Sequence, residues 1–380
     1  MAKRVSIGLG AFLFVVTLAG CGKFFPPLDN SSGGSSGGGT TTSTDRLYVA
    51  NAASSLNSIA GFTLSKSGLA TISAAGYSVP VAPSTITITP NNNWAYVGSL
   101  GGAIYAYSVS SSGALTLASS NTAVATAVSP QALCVDSTGK WLLGIDALTG
   151  YAYSYSINTS TGELTAASGS PVQLASTTAQ AMALSPNNQY LFVALGTGGI
   201  ETLSFDSSTG ALAQVHGIVA PLSNLNADLS IAISPNGNYL FVGETGAGGV
   251  RVFSVASNGV LQEIKGSPFT TGLAPKAILV DSTGSYVYVA DRTANNISAF
   301  TLGSTGVLTA ISGSPFAAGT TPVALAEDSS DKYLSVVNAG GGPDLKLYSF
   351  SGTTSGALVP YATSATGTDP ASAAAIAATH

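Results

Sequence analysis

The chain has 380 residues, and its 12 Lys plus Arg and 17 Asp plus Glu make only 8% of it charged, against ~25% in an ordinary soluble domain. That excludes long solvent-facing helices, which need Glu, Lys and Arg on their wet faces; Ser, Thr, Asn and 45 Gly suit strands and turns instead. The net charge of -5, which falls to -7 once Lys3 and Arg4 are removed, leaves no basic stripe for phosphates and excludes nucleic acid as a partner.

In chain order, Lys3 and Arg4 precede an uncharged, mostly apolar stretch from Val5 to Gly20, too short for a membrane span and suited to a signal peptide over residues 1–20. It ends in Leu18-Ala19-Gly20-Cys21, which resembles the bacterial lipobox. The resemblance implies lipidation at Cys21 and attachment to a membrane, since each buried methylene adds ~0.8 kcal/mol and two or more acyl chains hold firmly. Gly22, where an Asp would signal inner-membrane retention, implies the outer membrane of a bacterial envelope, periplasmic or surface face. The only other cysteine, Cys134, sits in the apolar run Ala132-Leu133-Cys134-Val135 and reads as a small buried hydrophobe.

Residues 21–45 form a tether, Gly/Ser/Thr-rich from Asn30 to Thr44, with nothing to bury. Gly34-Ser35-Ser36-Gly37-Gly38 matches the hydrolase pattern G-x-S-x-G but lacks the flanking strand and helix that give the pattern meaning.

From Arg46 to His380 the chain repeats itself. An anchor residue opens a short apolar strand at Arg46, Trp94, Trp141, Tyr190, Tyr239, Tyr286 and Tyr333, at spacings of 48, 47, 49, 49, 47 and 47 residues. Each anchor follows an apolar strand and a turn, as in Ile231-Ala-Ile-Ser-Pro235-Asn236-Gly237-Asn238-Tyr239. An alternating third strand comes next, such as Val250-Arg-Val-Phe-Ser-Val, then a turn such as Ser304-Thr-Gly306-Val-Leu308, then a weakly patterned outermost strand often closing in Gly-Ser-Pro. Seven such units predict an all-β, seven-bladed propeller of four-stranded antiparallel blades over 46–380. The first copy lacks its innermost strand, and Asp369-Pro370 with the Ala/Ile run behind it aligns with Thr321-Pro322-Val-Ala-Leu-Ala. The C-terminal strand is therefore expected to complete the first blade and close the ring.

These Ser-Pro-Asn-Gly turns, Tyr-Val-Ala-Asp strand ends and Ser-Thr-Gly-x-Leu turns resemble the seven-bladed lactonase family, which includes 6-phosphogluconolactonase-like and muconate-lactonizing proteins, and more loosely the propellers of Tyr-Val-Thr-Asn repeats. The resemblance implies a Pro-Arg-His at an innermost-strand start and an Asn-Arg-Gly at a second-strand end. Here Pro130-Gln131-Ala132 and Pro322-Val323-Ala324 stand at the first kind of position, and Asp291-Arg292 is the nearest match to the second. The expected imidazole is missing, and without a base near neutral pKa the activation of water has no obvious agent.

Innermost-strand starts and second-strand ends reach one mouth of the channel. The latter are Asn51, Ser99, Asp146, Leu195, Glu244, Asp291 and Asn338; the former include Gln131, Gln180, Asp228, Lys276 and Val323. In a chain so poor in charge, Asp228, Glu244, Lys276, Asp291 and Arg292 from the fifth and sixth units form the candidate ligand site, or else pair with one another as a network closing the channel. The first reading is a lipid-anchored module that binds a protein or small anionic ligand there. The second is a lactonase-like hydrolase of an anionic lactone, with Lys276 and Arg292 on the anion and Asp228 or Glu244 activating water. The third is a structural surface or adhesion protein. His216 and His380 are expected to be exposed and inert, and no metal or cofactor is expected. Tyr105, Tyr107, Tyr151, Tyr153 and Tyr155 are expected to pack between sheets rather than stack a ligand.

Overall fold

Each innermost strand ends in a polar residue, Thr89, Asp136, Ser185, Ser234, Asp281 or Asp328, whose side chain accepts the backbone N–H of the next anchor at 2.6 to 3.0 Å. Within that turn Asn92, Gly139, Asn188, Gly237, Gly284 or Asp331 takes a left-handed φ of 54 to 73°, the conformation that Gly, Asn and Asp tolerate best. The hairpin between first and second strands is thus fixed locally, six times over.

The computed structural model describes residues 45–52, 57–119, 122–146, 148–246, 249–366 and 373–380. Cys21 and the tether up to Thr44 lie outside the described residues, which contain no α-helix. Seven antiparallel sheets run from first strand to fourth, and the first strands touch one another around a complete circuit. The second to seventh blades begin with Pro83–Ile88, Pro130–Val135, Ala181–Leu184, Asp228–Ile233, Pro275–Val280 and Pro322–Glu327. Blade one takes its innermost strand from Ala373–Ala378, which pairs with Arg46–Ala52 from Leu47↔Ala378 to Asn51↔Ala373. The ring closes as the sequence predicts.

Seven apolar clusters hold the ring, one at each interface between neighbouring blades. Tyr105, Tyr107 and Tyr153 are buried in them, while Tyr151 and Tyr155 are half-buried. The spacing of the anchors has a packing cause. Trp94, Trp141, Tyr190, Tyr239 and Tyr286 each lie over the turn glycine of the following blade, Gly162, Gly210, Gly259, Gly306 and Gly356, where a Cβ would fall under 3.0 Å from the ring. Arg46, the one anchor that is not aromatic, covers Gly113 with its side chain and donates to the carbonyl of Ser111. At the seventh junction the Tyr361 ring packs tilted against Tyr333 with centroids 4.7 Å apart, and its hydroxyl donates to the carbonyls of Lys66 and Ser65.

The outermost strand differs from expectation. In blades one, two, three and six it is broken into two short pieces, such as Leu308–Ala310 and Phe316–Ala317, both paired with the third strand. Ser170, Ser267 and Ser314 of the Gly-Ser-Pro segments accept the N–H groups of Ser154, Val252 and Ala299 at 2.9 to 3.1 Å, replacing the missing ladder partner. Short pieces held by a side chain carry little hydrophobic pattern, which is why this strand is weak in the sequence.

Candidate functional site at the upper channel mouth

Second strands end at the upper mouth with Asn51, Ser99, Asp146, Glu244, Asp291 and Asn338 at or next to the last position, and with Leu195 one residue beyond its strand. Most of these polar groups clasp loops. Asp146 accepts the N–H groups of Ser129, Leu148 and Thr149 at 2.7 to 2.8 Å. Asn338 accepts from Gly319 N–H at 3.0 Å and donates to Pro343 O at 2.7 Å. Asn51 exchanges hydrogen bonds with Thr366 in the same way. The recurrence of Asn, Asp and Glu here therefore meets the needs of loop backbone first.

Glu244 is a clasp too. It accepts from Leu222 N–H at 3.1 Å, from Asn226 Nδ2 at 2.6 Å and from Arg251 Nη1 at 3.2 Å. Arg251 is the residue that sequence reasoning passed over. It is 4% exposed, pairs with Glu244 and reaches Glu263 at 2.8 Å. In Val250-Arg-Val an alternating strand suggests an outward arginine, and its two acidic partners, on other strands of the same blade, draw it inward together with the Ala220 carbonyl, to which Nη1 donates at 2.9 Å. The two acidic contacts are the ion pairs among the described residues.

The register corrects one equivalence. Asp228 pairs directly with Glu244, just as Pro83, Pro130, Pro275 and Pro322 pair with Ser99, Asp146, Asp291 and Asn338. Asp228 thus occupies the proline position, and its N–H, which a proline would lack, donates to Gly196 O at 3.0 Å. Lys276 and its counterparts Gln131 and Val323 are the next residue, the extra one at a bulge. The pairing sets the Asp228 carboxyl within hydrogen-bonding reach of the Glu244 carboxyl, while neither Asp228 oxygen receives a donor. Burial, with the Glu244 charge second, pushes Asp228 up to about 7 against the opposing pull of Arg251. Two carboxyls in contact are compatible only with a proton between them, so Asp228 holds that proton up to neutral pH.

Lys276 is fully buried, its Nζ has no hydrogen-bond partner, and burial together with the nearby Arg292 charge lowers it to about 7. Asp291 accepts from Ser298 Oγ at 2.6 Å, and burial raises its pKa. Arg292 is half-buried and makes no ion pair among the described residues. Of the five expected site residues, Glu244 and, through one oxygen, Asp291 are committed to the fold, whereas Asp228, Lys276 and Arg292 keep polar groups for something else.

The histidines depart from expectation. His216 lies just beyond the strand Ala211–Gln214, is half-buried, and its Nε2 sits 2.7 Å from Asn258 O of the next blade. His380 is half-buried at the lower end of the channel, where its N–H donates to Asn92 Oδ1 at 2.9 Å and its carbonyl accepts from Asn92 Nδ2 at 2.8 Å. Both join neighbouring blades, which a turn carbonyl or a turn amide makes possible and a sequence pattern does not display. The open space of the channel, about 80 Å³ for the centre of a water molecule, also lies at that lower end, lined by aliphatic residues such as Ile88, Met182, Ile231 and Ile376. Its lining holds no Asp, Glu, Lys or Arg.

No curated protein matches the sequence significantly. Among solved structures, a putative 6-phosphogluconolactonase from Bacteroides uniformis superposes with a TM-score of 0.73 at 16% identity, over 88% of this chain and 99% of its own. The periplasmic gluconolactonase of Pseudomonas aeruginosa gives 0.70 at 17%, over 89% and 99%. Hydrazine synthase of Kuenenia stuttgartiensis gives 0.61 at 12%, over 80% and 95%, so likeness at this level carries the fold and not a chemistry. The family model described as lactonase, 7-bladed beta-propeller matches residues 182–372. With that match over half of its length and seven closed blades, the chain belongs to the lactonase family of seven-bladed β-propellers.

Proposed function

We propose that the chain is an envelope-anchored lipoprotein, attached through Cys21, whose upper channel mouth binds a small anionic ligand. The observation that carries the reading is Arg292, half-buried without an ion pair, beside a fully buried Lys276 whose amine has no partner. A guanidinium poised in this way suits a carboxylate or phosphate. Gluconate is the simplest probe of that description. At one hundred times its Kd it should stabilise the full chain by ~2.7 kcal/mol, seen as a rise in Tm. No rise with gluconate or 6-phosphogluconate would count against the anion site and favour a purely structural surface role.

A second reading, hydrolysis of an anionic lactone, gains support from Asp228. Held near 7, it is a base close to neutrality, the agent that the sequence pattern lacked. Water would give its proton to Asp228 as its oxygen attacks the lactone carbonyl carbon; the ring C–O bond then breaks, and the leaving alkoxide takes a proton from Asp228 or from a donor such as Lys276. Opening of 6-phosphogluconolactone, followed by acid release at constant pH, should fall to the uncatalysed rate in Asp228→Asn. Turnover equal to the uncatalysed rate in the unaltered chain would leave binding alone.

A further inference from the structure

Among the described residues the exposed leucines are Leu148, Leu222, Leu225 and Leu273, at 49 to 86% exposure, and all four stand on loops of the upper face. Each is held in place. Leu148 and Leu222 donate their N–H groups to the buried carboxylates of Asp146 and Glu244 at 2.8 and 3.1 Å, Leu225 N–H reaches Ser223 Oγ at 3.3 Å, and the Leu273 carbonyl accepts from Thr293 N–H at 3.1 Å. The clasps that fix these loops therefore also hold apolar side chains out in water. The face around them is poor in charge. Asp146, Asp228, Glu244, Asp291 and Asp344 are buried there, and the part-exposed charges at this end, Arg292 and Lys346, are cations. The exposed charged side chains among the described residues stand at the lower turns, as do Lys140, Glu163, Asp206 and Lys332, or at the outer edge of blade five, as do Glu263 and Lys265. Single exposed leucines are ordinary, but several gathered on one charge-poor face mark a contact surface.

We propose that the upper face of blades three to six docks on an anionic lipid bilayer, with Leu148, Leu222, Leu225 and Leu273 entering the boundary between headgroups and acyl chains and Arg292 meeting a lipid phosphate. The proposal rests on the anchoring through Cys21 in the reading above, and the length of chain between anchor and ring suits it. The chain enters the ring at Arg46, at the lower end. The stretch from Cys21 to Thr44 can reach about 80 Å at ~3.4 Å per residue, against about 20 to 25 Å for the strands of six or seven residues that span the ring. The upper face can therefore turn to the membrane that holds Cys21, and anchoring raises its effective concentration there, so that a few leucines and one cation suffice. Because the leucines occupy one half of the ring, docking tilts it and leaves the mouth open on the side of blades seven, one and two.

The test is quenching of tryptophan emission by brominated acyl chains, with the full chain reconstituted in vesicles of phosphatidylglycerol and phosphatidylcholine. The native Trp94 and Trp141 open their strands at the lower end and serve as internal references. Leu225→Trp, at an exposed position where the fold is not at stake, should shift its emission to the blue and lose intensity in brominated vesicles, whereas the unaltered chain and Lys332→Trp should not. The quenching should vanish when Leu148→Ser, Leu222→Ser and Leu273→Ser are combined with it, and weaken in vesicles of phosphatidylcholine alone. Equal emission of Leu225→Trp in brominated and plain vesicles, from chain that floats with them, overturns the proposal and leaves the anchoring reading standing. Quenching of Leu225→Trp in chain whose mature N-terminus carries no acyl group sinks the anchoring reading alone, and chain that neither floats nor is quenched sinks both.

Discussion

Replacing Asp228 by Asn removes a proton that the fold has to hold, and the consequence can be worked out from its surroundings. The carboxyl titrates near 3.8 in an unfolded chain and near 7 in the fold, because it is buried against Glu244. Between those pH values the folded chain keeps a proton that the unfolded chain has released. Stability from this group is therefore fully present below 3.8 and is lost as pH rises through 7. The difference of roughly 3 pKa units corresponds to about 4 kcal/mol at ~1.36 kcal/mol each. An amide at position 228 donates an N–H to Glu244 at every pH, so Asp228→Asn should match the unaltered chain near pH 4 and exceed it at pH 8. With an unfolding entropy of ~2.1 cal/mol/K per residue over roughly 335 propeller residues, the gain amounts to about 6 °C in Tm. Calorimetric scans of the two full chains at pH 4 and pH 8, at one scan rate, measure it. A difference independent of pH, or a variant that melts lower at pH 8, would refute the shared-proton account of Asp228 and Glu244.

Arg251→Ala strands the buried Glu244 and the partly buried Glu263 and should cost ~3 to 5 kcal/mol by thermal or urea unfolding, whereas Arg292→Ala should change stability by less than ~1 kcal/mol. Deleting Ala373–His380 removes the innermost strand of blade one with the buried Ile376 and opens the ring, so the truncated chain should melt far lower or fail to fold. Gly210→Ala places a Cβ against the Trp141 ring at a φ of 77° and should cost at least ~1 to 3 kcal/mol in the same assay. Cys21→Ser should leave the chain without acyl groups by mass spectrometry of the mature N-terminus and release it from the membrane fraction.

The propeller is legible in the sequence because its repeating constraints are local. Each anchor aromatic must cover a turn glycine in the next blade, and each Ser or Asp before a turn must cap the anchor N–H, so both signals return every 47 to 49 residues. The C-terminal strand is legible for the same reason, carrying the innermost-strand pattern that the first copy lacks. The site is only half legible. The gathering of charge in blades five and six follows from strand order, yet the division of labour within it depends on contacts between strands. Arg251 looks outward in Val250-Arg-Val until Glu244 and Glu263 are placed beside it. Asp228 looks equivalent to Lys276 until the bulge shows that one occupies the proline position and the other the extra residue. A one-residue shift of this kind leaves no mark on a hydrophobic pattern.

The most direct test of the upper mouth as an anion site is a calorimetric titration of gluconate into the full chain and into Arg292→Ala at pH 7. The account predicts one saturable site in the unaltered chain, and an affinity reduced about 100-fold in the variant, the loss of ~2.7 kcal/mol expected of a charge-assisted contact, with the melting temperature preserved. Equal affinities in the two proteins, or a variant that binds poorly because it has lost its fold, would contradict it.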